Sequence, residues 1–277
     1  MKEFSRNRGQ GILMVIRIII EAASAFFITA ALLHYGTTST AIGRELTGAQ
    51  PEIALLTLSL SVITVWLLIT LIFGRIYCST LCPLGAVMDL AARTRKRDRI
   101  YRYKKPLTAL RLAVMAAVFL LLVARVSFPR EWMLPYGLYQ SLIERITEPQ
   151  VIGATLISAL IFAVIAIMAF LRGRIICNTL CPMGTLLGML SRRSLFHIDI
   201  NTDRCTQCRR CADVCKAQCI DLQDHIVDMS RCVVCFDCLP QCSDDAITYT
   251  PGRHTLSDPL MMPELDTFNK PKNETIS

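Results

Sequence analysis

Eight of the thirteen cysteines fall into two runs of identical spacing. "CTQCRRCADVC" places Cys205, Cys208, Cys211 and Cys215, and "CVVCFDCLPQC" places Cys232, Cys235, Cys238 and Cys242. Both read C-x2-C-x2-C-x3-C. At this spacing three thiolates wrap three irons of a cubane [4Fe–4S] cluster, and the fourth cysteine serves the other cluster. The crossing assigns cluster one to Cys205, Cys208, Cys211 and Cys242, and cluster two to Cys232, Cys235, Cys238 and Cys215. Zinc sites also use C-x2-C pairs, but two four-cysteine runs in tandem favour clusters. In the bacterial pattern a proline follows the fourth cysteine; here Lys216 and Ser243 stand there, which alters the local turn. Cys219 is left over and reads as a small buried hydrophobe.

Four further cysteines form a second constellation. "GRIYCSTLCPLG" (Gly74 to Gly85) and "GRIICNTLCPMG" (Gly173 to Gly184) carry Cys78 and Cys82, and Cys177 and Cys181. Proline disfavours helix at the residue before it, so Cys82 and Cys181 should interrupt any helix, and Pro83 and Pro182 suit the first position of a new one. A helix N-terminus there favours thiolate over thiol. Four thiolates brought together would hold a further metal or cluster, and two separate pairs would be two dithiols. A structural role at a repeat interface is the remaining reading.

The elements that must position these cysteines are apolar. The chain of 277 residues is 53% hydrophobic with a mean hydropathy of +0.43, above the usual soluble domain. Four stretches match a hydrocarbon core of about 30 Å: Ile12–Leu33, Ile53–Phe73, Leu107–Ala124 and Val151–Leu171. The first reads as an uncleaved helix. Lys and Arg gather at the N-terminus, in "RTRKRDRIYRYKK" and after the fourth stretch. This puts both termini on the cytoplasmic side, where cysteines stay reduced. Trp132, Tyr136 and Tyr139 read as an outer interfacial belt. The net charge of +8 lies beside apolar segments, which excludes nucleic acid as the partner.

The expected fold is therefore a membrane α-helical domain, residues 1–194, of four transmembrane helices in two parallel hairpin repeats. A small α/β ferredoxin-like domain with two clusters follows over residues 195–250, with short strands in "LFHIDI", "CIDLQD", "HIVDMS" and "AITYT". Residues 251–277 read as a disordered tail. The stretches after Pro83 and Pro182 should lie along the membrane surface. Arg17 and Glu21 share a face of the first helix. Either Glu21 takes a proton from a membrane substrate, or it pairs with an Arg17 that reaches toward the inner interface. Arg111 is expected to reach there too, and Arg75 and Arg174 to set topology or stabilise the thiolates.

The C-x3-C-P pairs together with the double ferredoxin run resemble the ferredoxin-type membrane proteins of the NapH/MauN class, over about residues 10–250. The resemblance implies electron transfer between a quinone pool and [4Fe–4S] centres in the inner membrane, with lipid and a ferredoxin-like or cytochrome redox partner. The chain has no C-x-x-C-H motif, and none of His34, His197, His225 and His254 lies mid-membrane. Quinol chemistry is therefore expected near the cytoplasmic edge. Cys78, Cys82, Cys177, Cys181 and Glu21 are the candidate reactive groups. The same core occurs in assembly factors, so metal or copper handling by the membrane-edge thiolates is the alternative. A plain tethered ferredoxin is the third reading.

Overall fold

The computed structural model of the chain describes residues 2–34, 37–51, 53–54, 59–94, 101–123, 135–147 and 152–251. Trp132, residues 95–100 of the basic stretch, and the tail beyond Pro251 lie outside them.

Helices stand at all four apolar stretches. They are α1 (Lys2–Leu32), α3 (Leu60–Phe73), α6 (Thr108–Val123) and α8 (Ile152–Arg172), with α2 (Thr37–Gly48) and α7 (Pro135–Thr147) between the members of each pair. Gly11–Leu32 and Thr155–Arg172 are long and apolar enough to cross a membrane, while Leu60–Phe73 and Thr108–Leu121 are shorter. Fourteen helical residues cover about 21 Å, less than the hydrocarbon core. All four carry exposed apolar side chains, among them Ile19, Leu68, Phe119 and Leu160.

The short helices fold back into the bundle. Gly43 of α2 lies against Phe27 of α1 so closely that a Cβ would overlap the Phe27 carbonyl. Gln50, just past α2, is fully buried, bonds to the Tyr77 hydroxyl and donates to the Leu81 carbonyl at 3.3 Å. Tyr136 and Tyr139 of α7 are buried around Ile28, and Tyr139 Oη meets Thr29 Oγ1 at 2.6 Å. These two tyrosines are therefore core residues and not an interfacial belt.

After α3 the chain ends its helix at Gly74, then forms α4 (Tyr77–Thr80) and α5 (Pro83–Arg93). After α8 it does the same with Gly173, α9 (Ile175–Thr179) and α10 (Pro182–Ser191). Gly74 and Gly173 have φ of +80° and +65°, a region glycine enters without steric cost. Cys82 and Cys181 are extended N-caps whose sulfurs accept from the Gly85 and Gly184 amides at 3.4 and 3.2 Å, with proline at the first helical position. The inner faces of α5 and α10 are buried. They form a layer beneath the C-terminal domain, not a pair of surface helices.

In that domain β1 (His197–Ile200) pairs antiparallel with β4 (Ile247–Thr250), in register Ile200 to Ile247. β2 (Ile220–Asp221) pairs with β3 (Ile226–Val227), and a one-turn helix α11 (Arg210–Asp213) sits in the first cysteine run. The domain is fastened to the bundle. Leu195 and Phe196 amides donate to Leu71 and Ile72 carbonyls at 2.7 Å. Phe73, Phe196, Tyr249 and Phe236 form a run of ring contacts with centroids 5.0–5.8 Å apart.

Candidate iron–sulfur centres

Each cysteine run curls its backbone through left-handed residues. Gln207 and Arg209 in the first run have φ of 53° and 67°, and Val234 and Phe236, at the same places in the second, have 53° and 61°. Gln218 and Asp245 repeat the feature further on, at 53° and 49°. A β-branched valine in this region is strained. The alternation turns successive amides toward one concavity, the geometry of an anion nest.

Two cavities result. One is lined by Cys205, Cys208, Cys211 and Cys242. The other is lined by Cys215, Cys232, Cys235 and Cys238, with Cys219 beside them. The fourth cysteine of each run thus faces the other run's cavity. A zinc ion with thiolates at about 2.3 Å would draw its sulfurs to roughly 4 Å from one another. Among the described residues no three His, Cys, Asp or Glu side chains converge to hold a single ion. Four thiolates spread around a cavity suit the separate corners of a cubane, so the donor set fits a [4Fe–4S] cluster. The ninth cysteine is more than packing. Cys219 Sγ lies 3.5 Å from Cys215 Sγ, and its hydrogen bond pulls the Cys215 thiol down to about 7 against the opposing effect of burial, helped by the amides of Cys219, Ala217 and Gln218.

The cavities differ in exposure. Cys208 of the first is exposed, with Arg204, Arg209 and Arg210 exposed around it. The four cysteines of the second are all buried, and Val233 and Cys235 on its wall belong to the same buried cluster as Cys78, Cys82 and Cys177. The second cavity therefore backs onto the cluster of Cys78, Cys82 and Cys177, and the first has the exposed Cys208 on its wall.

The two Gly-Arg-x-x-Cys segments are cross-wired. Arg75 and Arg174 are fully buried, so neither is a surface topology signal. Arg75 crosses to the second copy, donating to Asn178 Oδ1 at 2.9 Å and to the Ser230 carbonyl at 3.0 Å, with its Nη2 3.8 Å from Cys78 Sγ. Arg174 crosses to the first, donating to the Cys78 carbonyl, to Gly85 O at 3.3 Å and to Asp89 Oδ1 at 2.8 Å. Each arginine passes the glycine of the other copy: a Cβ on Gly184 would be 2.8 Å from Arg75 Nη2, and one on Gly85 3.5 Å from Arg174 Nη1. Cys78, Cys82 and Cys177 share one apolar cluster, and Cys177 Sγ touches Met88 Sδ at 3.3 Å, but Cys181 is not in it. Burial pushes the Cys177 thiol up to about 11 despite Arg174 beside it, against the thiolate expected near a helix N-terminus.

Sequence reasoning anticipated the Arg17–Glu21 pair but missed the rest of the ion-pair network between these layers. Arg17 is buried and bonds Glu21 Oε1 at 2.9 Å and Asp89, so it does not reach out to the interface. Arg111 is likewise buried, on Ser230 at 3.1–3.2 Å. Lys216 Nζ lies 3.6 Å from Asp89 and 2.7 Å from Asp237. Burial opposes ionisation of Asp89, but Arg174, Lys216 and Arg17 outweigh it and hold its carboxyl below the usual range. One signal was available: Asp89 is the lone acid in either motif helix, and Gly188 stands at the equivalent place in the other.

A family described as a 4Fe–4S binding domain matches residues 55–101 and 154–201, the two C-x3-C-P segments. An uncharacterized protein of Methanocaldococcus jannaschii is 24% identical over 85% of this chain and 87% of its own length. The methylamine utilization ferredoxin-type protein MauN of Paracoccus denitrificans is 28% identical over 52% of this chain and 49% of that one. The ferredoxin-type protein NapH of Escherichia coli is 28% identical over 64% and 62%. No solved structure matches. Over these stretches the chain is similar to ferredoxin-type iron–sulfur proteins of the NapH and MauN type.

Proposed function

We propose that this is a multi-pass membrane electron-transfer protein that passes electrons from the quinol pool through two [4Fe–4S] clusters to a redox partner. The observation that carries the reading is the pair of cavities, each lined by the crossed cysteine set, with the second set against the membrane-edge cysteines. Cluster one would be held by Cys205, Cys208, Cys211 and Cys242, and cluster two by Cys232, Cys235, Cys238 and Cys215. Bound there, the clusters supply one-electron chemistry. The chain encloses cluster two away from water and leaves cluster one beside exposed Cys208, where a partner protein can approach. Electrons would run from the membrane edge to cluster two, then to cluster one.

The membrane domain would be residues 1–194, crossing four times as two parallel repeats, with both termini and the cluster domain cytoplasmic. The equivalent placement of Gly74 and Gly173, of the two cysteine caps and of the crossed arginines supports the repeat. The exposed apolar faces of α1, α3, α6 and α8 support lipid contact. Residues 195–250 would be the cluster domain. The membrane-edge cysteines would stand between quinol and cluster two. A second reading, a maturation factor handling soft copper, draws on the sulfurs of Cys78, Cys177 and Met88 in one buried cluster.

Anaerobic reconstitution with iron and sulfide, followed by quinol titration, tests the proposal. Cluster signals reducible by quinol are expected. Clusters that stay oxidised with quinol, with or without a partner, would remove the quinol assignment, and tight copper binding lost on changing Cys78 and Cys177 to serine would favour the second reading.

A further inference from the structure

A line of buried ion pairs leaves the second cavity and ends inside helix α1. Asp237, between Cys235 and Cys238, lines the second cavity, and Lys216 directly follows Cys215, another of its lining residues. Lys216 Nζ is 2.7 Å from Asp237 and 3.6 Å from Asp89. Asp89 holds Arg174 Nε at 2.8 Å and pairs with Arg17. Arg17 and Arg174 then converge on one oxygen of Glu21, at 2.9 and 3.5 Å. Glu21 lies within the apolar stretch Gly11–Leu32.

The groups facing Glu21 are Arg17 on its own helix, Asp89 from α5, Arg174 from the turn before α9, and Lys216 from the cluster domain. The cations Arg17, Arg174 and Lys216 balance the anions Glu21, Asp89 and Asp237. An electron added to cluster two places a further negative charge beside this neutral set, in surroundings where uncompensated charge costs several kcal/mol. Protonating a carboxylate restores the balance. Asp89 is gripped through both oxygens by separate cations, and Asp237 pairs with Lys216 and, at 3.4 Å, with Arg93. Glu21 only shares the arginines that Asp89 already holds, which makes it the weakest-held carboxylate of the three.

We infer that Glu21 is the proton site coupled to cluster two: as one electron enters the cluster, one proton binds a Glu21 carboxylate oxygen, and it leaves when the electron moves on to cluster one. Oxidation of one membrane hydroquinone to quinone, which releases two electrons and two protons, drives two such cycles. Arg17, Asp89, Arg174 and Lys216 are positioning residues that carry the field between cluster and carboxylate. The inference rests on the two-cluster, quinol-linked reading above.

The test is a potentiometric titration of the full chain in lipid nanodiscs, followed by electron paramagnetic resonance at several pH values around neutrality. Cys208→Ser, which removes a cluster-one ligand, assigns the two signals. The expected result is a cluster-two potential that falls with rising pH, by up to about 59 mV per tenfold change in proton concentration, beside a cluster-one potential that does not. Glu21→Gln should abolish the slope with the iron content unchanged, and Glu21→Asp, which keeps a carboxylate, should retain it. A slope that persists in Glu21→Gln, a wild-type slope of zero, or equal slopes at both clusters overturns the inference alone. Wild-type protein that assembles fewer than two clusters overturns the reading beneath it and the inference with it.

Discussion

Asp89 joins α1 and the turn before α9 to the C-terminal part of the chain through Arg17, Arg174 and Lys216. Removing one partner of a buried ion pair leaves uncompensated charge, at about 3–5 kcal/mol. Asp89→Ala should therefore lower the thermal midpoint in detergent sharply, while Arg93→Ala, at the half-exposed rim, should change it little. The sign with pH follows from the direction of the shift. The folded-state pKa of Asp89 lies below the ordinary 3.8, so its stabilisation is complete above that value and is lost as pH falls through the folded-state range. An Asp89→Asn protein should thus show a shallower loss of stability on acidification than the wild type. The cysteines make a separable prediction: Cys208→Ser should remove the cluster-one signal and leave cluster two, and Cys235→Ser the reverse, each read by iron content and spectroscopy. The grouping of the eight cysteines around two cavities was legible because their spacing is local. The partners of Asp89 were not, since Arg17 lies 72 residues before it and Arg174 85 after, and only the fold brings them together. Lys216 was visible as a departure from the usual proline, but its role as a link to Asp89 and Asp237 was not.

Helices α2 and α7 turn back along the bundle and press Gln50, Tyr136 and Leu138 toward the motif layer. Both are short and mixed in polarity, at 12 and 13 residues, below the length at which hydropathy registers a membrane helix. That is why the sequence reading marked no helix there and took Tyr136 and Tyr139 for an interfacial belt. α1, α3, α6 and α8 were legible from their apolar runs, and the breaks at Cys82 and Cys181 from the prolines that follow. The close approach of α2 to α1 depends on Gly43. Gly43→Leu should force the pair apart and cost about 1–3 kcal/mol of overpacking, measurable as a lower thermal midpoint with the cluster spectra unaltered. At the motif itself, Gly184→Ala would drive a Cβ into the Cys177 carbonyl and toward Arg75. It should disrupt the cross-wiring and detach the cluster domain, seen as faster proteolysis near residue 195.

At the scale of the whole molecule, crossed arginines hold two similar segments together, and the cluster domain rests on both. Arg75 meets Ser230 in the stretch before the second cysteine run, and the Arg174 amide donates to the Lys216 carbonyl, just past the first, at 2.9 Å. This docking sets the order proposed for the clusters, with the enclosed one toward the membrane and the exposed one toward a partner. The most direct measurement is rapid-freeze electron paramagnetic resonance after mixing the reconstituted protein with quinol, in the wild type and in the Cys208→Ser and Cys235→Ser variants. The account predicts that cluster two is reduced first, that Cys208→Ser still reduces cluster two, and that cluster one stays oxidised in Cys235→Ser. Reduction of cluster one at the wild-type rate in Cys235→Ser would contradict it.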